Sequence, residues 1–196
     1  MAVSGSTTKV HQLKVVLQGA EPPIWRRLQV PATMTLAELH AVLQVAMGWE
    51  DCHLHQFHIA GKIYGIDDGE GWGPAPIDER RTRLDRVARK GTRFAYEYDF
   101  GDSWEHDINV EAVLDADDGK TYPACVAGER ACPPEDCGGV WGYDEMLAAL
   151  ADPGHDDHEH FLEWVGGEFD PERLDLTAIN RALAPASRRR TPTHAR

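Results

Sequence analysis

The chain has 196 residues, 42% of them hydrophobic, and a formal net charge of −13 from 33 acidic against 20 basic side chains. That length suits one domain with a real core, and the apolar fraction excludes a disordered polymer. A body this acidic repels phosphate backbones, which argues against nonspecific nucleic-acid binding, and no apolar run reaches the length of a membrane span. The first residues, MAVSGSTTKV, lack the apolar stretch of a signal peptide, so the expected location is the cytoplasm, where the four cysteines stay reduced.

Residues 10–17 alternate loosely and predict a strand; Pro22 and Pro23 break it. Residues 24–30 predict a second strand, with Trp25, Arg27 and Gln29 on one face and Arg26, Leu28 and Val30 on the other. Thr35 and Glu38 have the spacing of a capping box, and Leu36, Leu39, Leu43, Ala46 and Met47 follow at helical intervals until Gly48. A third strand over 53–59 turns into Ile63 and Tyr64, followed by a Gly- and Asp-rich loop and a short helical stretch over 82–88.

The clearest hairpin covers 93–114. Phe94, Tyr96, Tyr98 and Phe100 alternate on one strand, and Trp104, His106, Ile108 and Val110 on the other. A loop of Gly101, Asp102 and Ser103 pairs Phe100 with Trp104, Tyr98 with His106 and Tyr96 with Ile108, whereas a one-residue slip would bury the charged face. Helices over 143–151, 157–165 and 174–183 complete the chain. The pattern is α+β: a mainly antiparallel sheet, one early packed helix and a helical C-terminal part. It implies a disordered lead over 1–9, a single domain over 10–185 and a basic, disordered tail over 186–196.

Four constellations could carry chemistry. Cys125, Cys132 and Cys137 lie in an irregular segment rich in Pro and Gly, where zinc could collect thiolates, with Cys52, His53 or His55 as a fourth ligand; no Cys-x-x-Cys knuckle is present, and cysteines simply packed in a loop are the commoner arrangement. His53 and His55, two apart on a predicted strand, share a face and could hold a metal, or could close the end of a core face. In the predicted hairpin register Asp99 opposes Glu105 and Glu97 opposes Asp107, a like-charge arrangement that a divalent cation, Arg26 or Arg27, or water must offset. Asp102 at the turn and His106 beside it add donors. Glu135 and Asp136 follow Pro133 and Pro134 on a rigid turn, and could bind a metal or cap a helix. Phosphate-binding, dinucleotide, His-Glu-x-x-His and Gly-x-Ser-x-Gly motifs are absent, and Ser103 is the sole interior serine.

Four segments in order, PIWRR at 23–27, HLHQF at 53–57, YDFGDSWEH at 98–106 and CPPEDCGG at 132–139, make the chain resemble the plasmid pRiA4b ORF-3-like family. The resemblance runs from about residue 10 to 183 and implies an α+β fold and an association with plasmids or insertion elements, without an activity. A resolvase label carried by some relatives does not suit this chain, which has no serine nucleophile set among arginines. The leading expectation is a cytoplasmic binding or accessory module with no membrane contact. Its protein partner or small ligand would meet Trp141, Tyr143, Asp136 and Trp104. The alternative is a metal-dependent hydrolase of phosphoester or nucleic-acid substrates. It would combine His53, His55, Asp99, Asp102, His106, Glu135 and Asp136, with zinc or manganese activating water and a carboxylate or His106 as general base. That alternative requires the 53–55 strand, the hairpin turn and the Pro-Pro-Glu-Asp loop to meet. A third reading is a structural zinc held by Cys125, Cys132 and Cys137.

Overall fold

The computed structural model describes residues 8–67, 69 and 74–188. Residues 1–7 of the expected lead and 189–196 of the basic tail lie outside the described residues; the first strand already begins at Lys9, and the last helix runs on to Arg188. Eight strands form one sheet in the order β5-β4-β3-β6-β7-β1-β2-β8. They are β1 (Lys9–Leu17), β2 (Trp25–Pro31), β3 (His55–Ile59), β4 (Lys62–Gly65), β5 (Ile77–Asp78), β6 (Arg93–Tyr98), β7 (Trp104–Asp115) and β8 (Ala124–Glu129). All neighbours are antiparallel except β4 and β5. Helices are α1 (Leu36–Met47), α2 (Leu84–Val87), α3 (Gly139–Ala151), α4 (His158–Trp164) and α5 (Leu176–Arg188). The architecture is α+β, as the sequence pattern predicts.

Alternation builds the core. Leu13, Val15, Leu28, Val30, Tyr96 and Ile108 face one side of the sheet and pack with Leu39, Val42 and Leu43 of α1. α1 begins at a true capping box, Thr35 with Glu38, and ends at Gly48 in the left-handed region. The buried Arg26 joins three elements: its guanidinium donates to the carbonyls of Ala46 at the end of α1, Trp25 in β2 and Glu129 in β8. The opposite sheet face is polar. There Arg27 donates twice to Glu111, and Lys14 and Arg27 lie over the Trp25 ring. At the β8 edge the Asn180 side chain of α5 accepts from the Cys125 amide and donates to the Cys125 carbonyl, both at 2.8 Å.

Two expectations are corrected here. The segment after Cys125 is not wholly irregular: 124–129 is β8, and α3 starts at Gly139 rather than Tyr143. The hairpin keeps the predicted faces but moves by two residues, pairing Tyr98 with Trp104, Tyr96 with His106 and Phe94 with Ile108. A shift of two preserves which side chains point inward, so burial cannot distinguish the registers. The turn decides: Asp99 and Ser103 both adopt positive φ, and the Ser103 amide closes on the Asp99 carbonyl at 2.6 Å. Glu97 now opposes Glu105, and Gln56 (2.7 Å) and Ser103 donate to Glu97, in place of the cation, arginine or water the pattern calls for.

Candidate functional site

Three chain segments meet at one end of β6. The first follows α1: Asp51, at positive φ, donates its amide to Gln44, and the amides of Cys52 and His53 both donate to the Tyr98 hydroxyl (3.0 and 3.3 Å). The second is the hairpin turn, held to the first by the Asp99 amide on the Leu54 carbonyl. The third is the Pro-Pro-Glu-Asp loop. Trp49 Nε1 donates to the Pro133 carbonyl, and Gly138 donates its amide to Asp102 Oδ2. Gly139 has positive φ and lies so close to the turn that a Cβ would sit 2.6 Å from the Asp102 carbonyl oxygen. A side chain there would separate the two loops.

Tyr98 is the hub of this junction. Its hydroxyl accepts from two amides and donates to Glu135 Oε1 at 2.5 Å. Burial first, and the Glu135 bond next, push the phenol far above its ordinary pKa, so it remains a donor. Glu135 Oε2 also accepts from the Glu50 amide and the Cys52 thiol.

Over this base, His53 Nε2 lies 3.1 Å from Asp136 Oδ1 and 3.7 Å from Asp99 Oδ2. Asp136 reaches it through a positive φ. Nε2 is shielded from solvent and has no hydrogen-bond partner: Asp99 is too far, and Asp136, though near, is poorly aligned for such a bond. The donor atoms of His53, Asp99 and Asp136 all fall within 4.8 Å of one another, and Cys52, His53 and Glu135 form a second, overlapping group. One imidazole with two carboxylates suits a divalent ion that accepts mixed nitrogen and oxygen donors, such as manganese or zinc.

The remaining predicted residues are distributed elsewhere. His55 does not join His53: β3 begins at His55, so strand alternation does not extend to His53. Instead His55 Nε2 lies 2.9 Å from the buried Glu79 carboxylate, and its ring stacks on His40 at 3.4 Å. His40 in turn reaches Tyr96 and Asp51. Burial, then the neighbouring His55, holds His40 below its ordinary pKa.

His106 cannot be a catalytic group, because it is wholly buried against Trp49 and burial pushes its pKa down to about 4. Trp104 is likewise wholly buried and offers nothing to a partner. Tyr143 is 2% exposed, whereas Trp141 is 84% exposed, because α3 turns the first toward the core and the second to solvent.

The three cysteines do not converge on a metal. Cys125 lies in β8, Cys132 sits at 3.3 Å from the Arg26 guanidinium, and Cys137 lies at the start of α3. Among the described residues, no metal-capable group of three includes any of them. Burial raises Cys132 to about 11 and Cys137 to about 12, which favours thiols over thiolates. Asp102 serves as a clip to Gly138 rather than a ligand. Tyr98, Asp51 and Glu79 were not singled out from the sequence; the alternation of the hairpin disguises Tyr98 as a core aromatic, and nothing local marks Glu79.

A family model described as plasmid pRiA4b ORF-3-like protein matches residues 9–178. The chain belongs to this family. The uncharacterized protein y4hQ of Sinorhizobium fredii is 44% identical over 177 residues, covering 89% of this chain and 90% of its own. The fold is similar to the crystal structure of a protein of unknown function, MM3350, from Methanosarcina mazei Go1. The TM-score is 0.80 at 39% identity, with 88% of this chain and 98% of that one covered.

Proposed function

We propose that the protein is a cytoplasmic binding module that works through a divalent cation, manganese or zinc, held by His53, Asp99 and Asp136. The observation that carries this reading is the buried His53 Nε2, without a hydrogen-bond partner yet within reach of two carboxylates from two other segments. Tyr98 and Glu135 position the histidine's segment beneath it. The convergence that the hydrolase alternative requires is present, but His106, one of the bases it named, is sealed in the core, and nothing else favours hydrolysis. An association with mobile elements rests on the family's name alone. Among the described residues no helix is long and apolar enough to cross a membrane.

The test is plasma mass spectrometry on untagged protein prepared without chelator, with manganese and zinc titrated into chelator-treated samples. Near-stoichiometric metal, lost in His53→Ala and in Asp99→Asn but kept in Cys132→Ser, is the expected result. Absence of metal binding by the native chain, or loss only in Cys132→Ser, would overturn the proposal.

A further inference from the structure

His53 also lines a second feature. A cavity of about 430 Å³ opens beside it, walled on its apolar side by Leu54, Ile63, Ile66, Pro74, Pro76 and Phe100 and on its polar side by Asp51, His53, His55 and Gln56. The volume falls within the range of small-molecule sites, and the lining has their character, mainly apolar with a few polar groups at one end. Leu54, Ile63, Ile66 and Phe100 are each between 44% and 50% exposed. Among the described residues they are four of the ten large hydrophobic side chains left in water, gathered round one opening. Single exposed apolar residues are ordinary, but a gathered set is not.

The hairpin turn links this cavity to the candidate cation site. Phe94, Tyr96 and Tyr98 all point into the core, and the pattern would send Phe100 after them. The positive φ of Asp99 interrupts the alternation. That one distortion accompanies both the Asp99 carboxylate facing His53 and the Phe100 ring at the cavity wall. His53, Leu54 and His55 likewise pass from the cation site into the cavity wall along a single segment.

We infer that the cavity binds a small monocarboxylic acid with an apolar body, its carboxylate turned toward the cation at His53 and its chain or ring lying along Leu54, Ile63, Ile66 and Phe100; the inference rests on the proposed cation site. Three protein ligands leave coordination positions open on manganese or zinc, and a carboxylate oxygen suits them. Without the cation the same end of the cavity disfavours an anion, because Asp51 lines it and the Asp99 and Asp136 carboxylates lie against His53. Binding of the acid is therefore metal-dependent, and the corresponding alcohol has no comparable dependence.

The experiment is isothermal titration of the full chain with octanoate and with octanol, each with and without manganese, alongside direct manganese titration. Octanoate binding that weakens at least about tenfold without manganese, a difference of about 1.4 kcal/mol, is expected. Octanol should show no such change. Ile63→Trp fills the cavity at a half-exposed position outside the cation site, and should keep manganese binding while losing octanoate. Manganese binding without octanoate binding would overturn this inference and leave the cation site standing. Equal octanoate binding by the native chain and Ile63→Trp, or binding indifferent to manganese, would also overturn it. Failure of manganese to bind at all would remove the cation site and the inference together.

Discussion

His106 gives the sharpest energetic prediction. It sits in β7 with no exposure to solvent; Nδ1 lies 3.4 Å from the Tyr96 carbonyl, and Nε2 has no partner. Protonation would place a second N–H, and a charge, where nothing accepts them. Burial therefore lowers the pKa from 6.5 to about 4. The unfolded chain takes up this proton first, so the stabilising contribution is complete above about pH 6.5 and is lost as the pH falls toward about 4. The gap corresponds to roughly 3 kcal/mol at about 1.4 kcal/mol per pH unit, and to about 2 kcal/mol by pH 5. His106→Phe keeps an aromatic ring against Trp49 and removes the titration. Urea unfolding followed by tryptophan fluorescence at about pH 7.5, 6 and 5 should show the native chain losing about 2 kcal/mol more than the variant between the first and last conditions. His11 and His40, whose pKa values are also lowered mainly by burial, act alike in both proteins and cancel in the difference. Stability curves that stay parallel to within about 0.5 kcal/mol would refute the reasoning, and would mean that the core opens to hydrate the imidazolium.

The α3 residues separate surface from core. Trp141→Ala should leave the melting temperature nearly unchanged, whereas Tyr143→Ala should cost about 3–5 kcal/mol, measured by thermal and urea unfolding. Tyr143→Phe, which removes a buried hydroxyl without a partner, should be neutral or stabilising by about 1 kcal/mol. Gly142 allows α3 to start against the preceding loop, because a Cβ there would run into the Cys137 carbonyl oxygen. Gly142→Ala should therefore destabilise by about 3 kcal/mol and weaken metal binding by displacing Asp136, read by unfolding and metal titration together.

Local chemistry was well written in the sequence where one short segment decides the outcome. Thr35, Glu38 and Gly48 define both ends of α1 through bonds made within a few residues. The buried face of β2, including Arg26, follows from alternation alone. Register was less legible, because a two-residue shift leaves every inward side chain inward; the turn between Asp99 and Ser103 depends on backbone angles that nothing in the pattern requires of an aspartate and a serine. His53, Asp99 and Asp136 could each be suspected singly. Their meeting depends on contacts between distant segments, such as Tyr98 with Glu135 and Gly138 with Asp102, and pairwise spacing carries no trace of these. His55 and His106 misled for a shared reason: imidazoles on an aromatic strand face look like ligands, while the assembled sheet makes them interior groups with carboxylate, ring or carbonyl neighbours.

The amide of Asn180 meets Cys125 as the backbone of a ninth strand would, and it does so from a helix. A sheet edge is ordinarily a template on which a foreign strand can continue the ladder. Here that template ends in a side chain that has no further peptide to offer, while the opposite margin is a strand of only two residues, Ile77–Asp78. Growth of the sheet into another molecule is thus discouraged at both margins. What the sheet leaves open to other molecules is side chains and loops, such as the exposed Trp141 and Phe100.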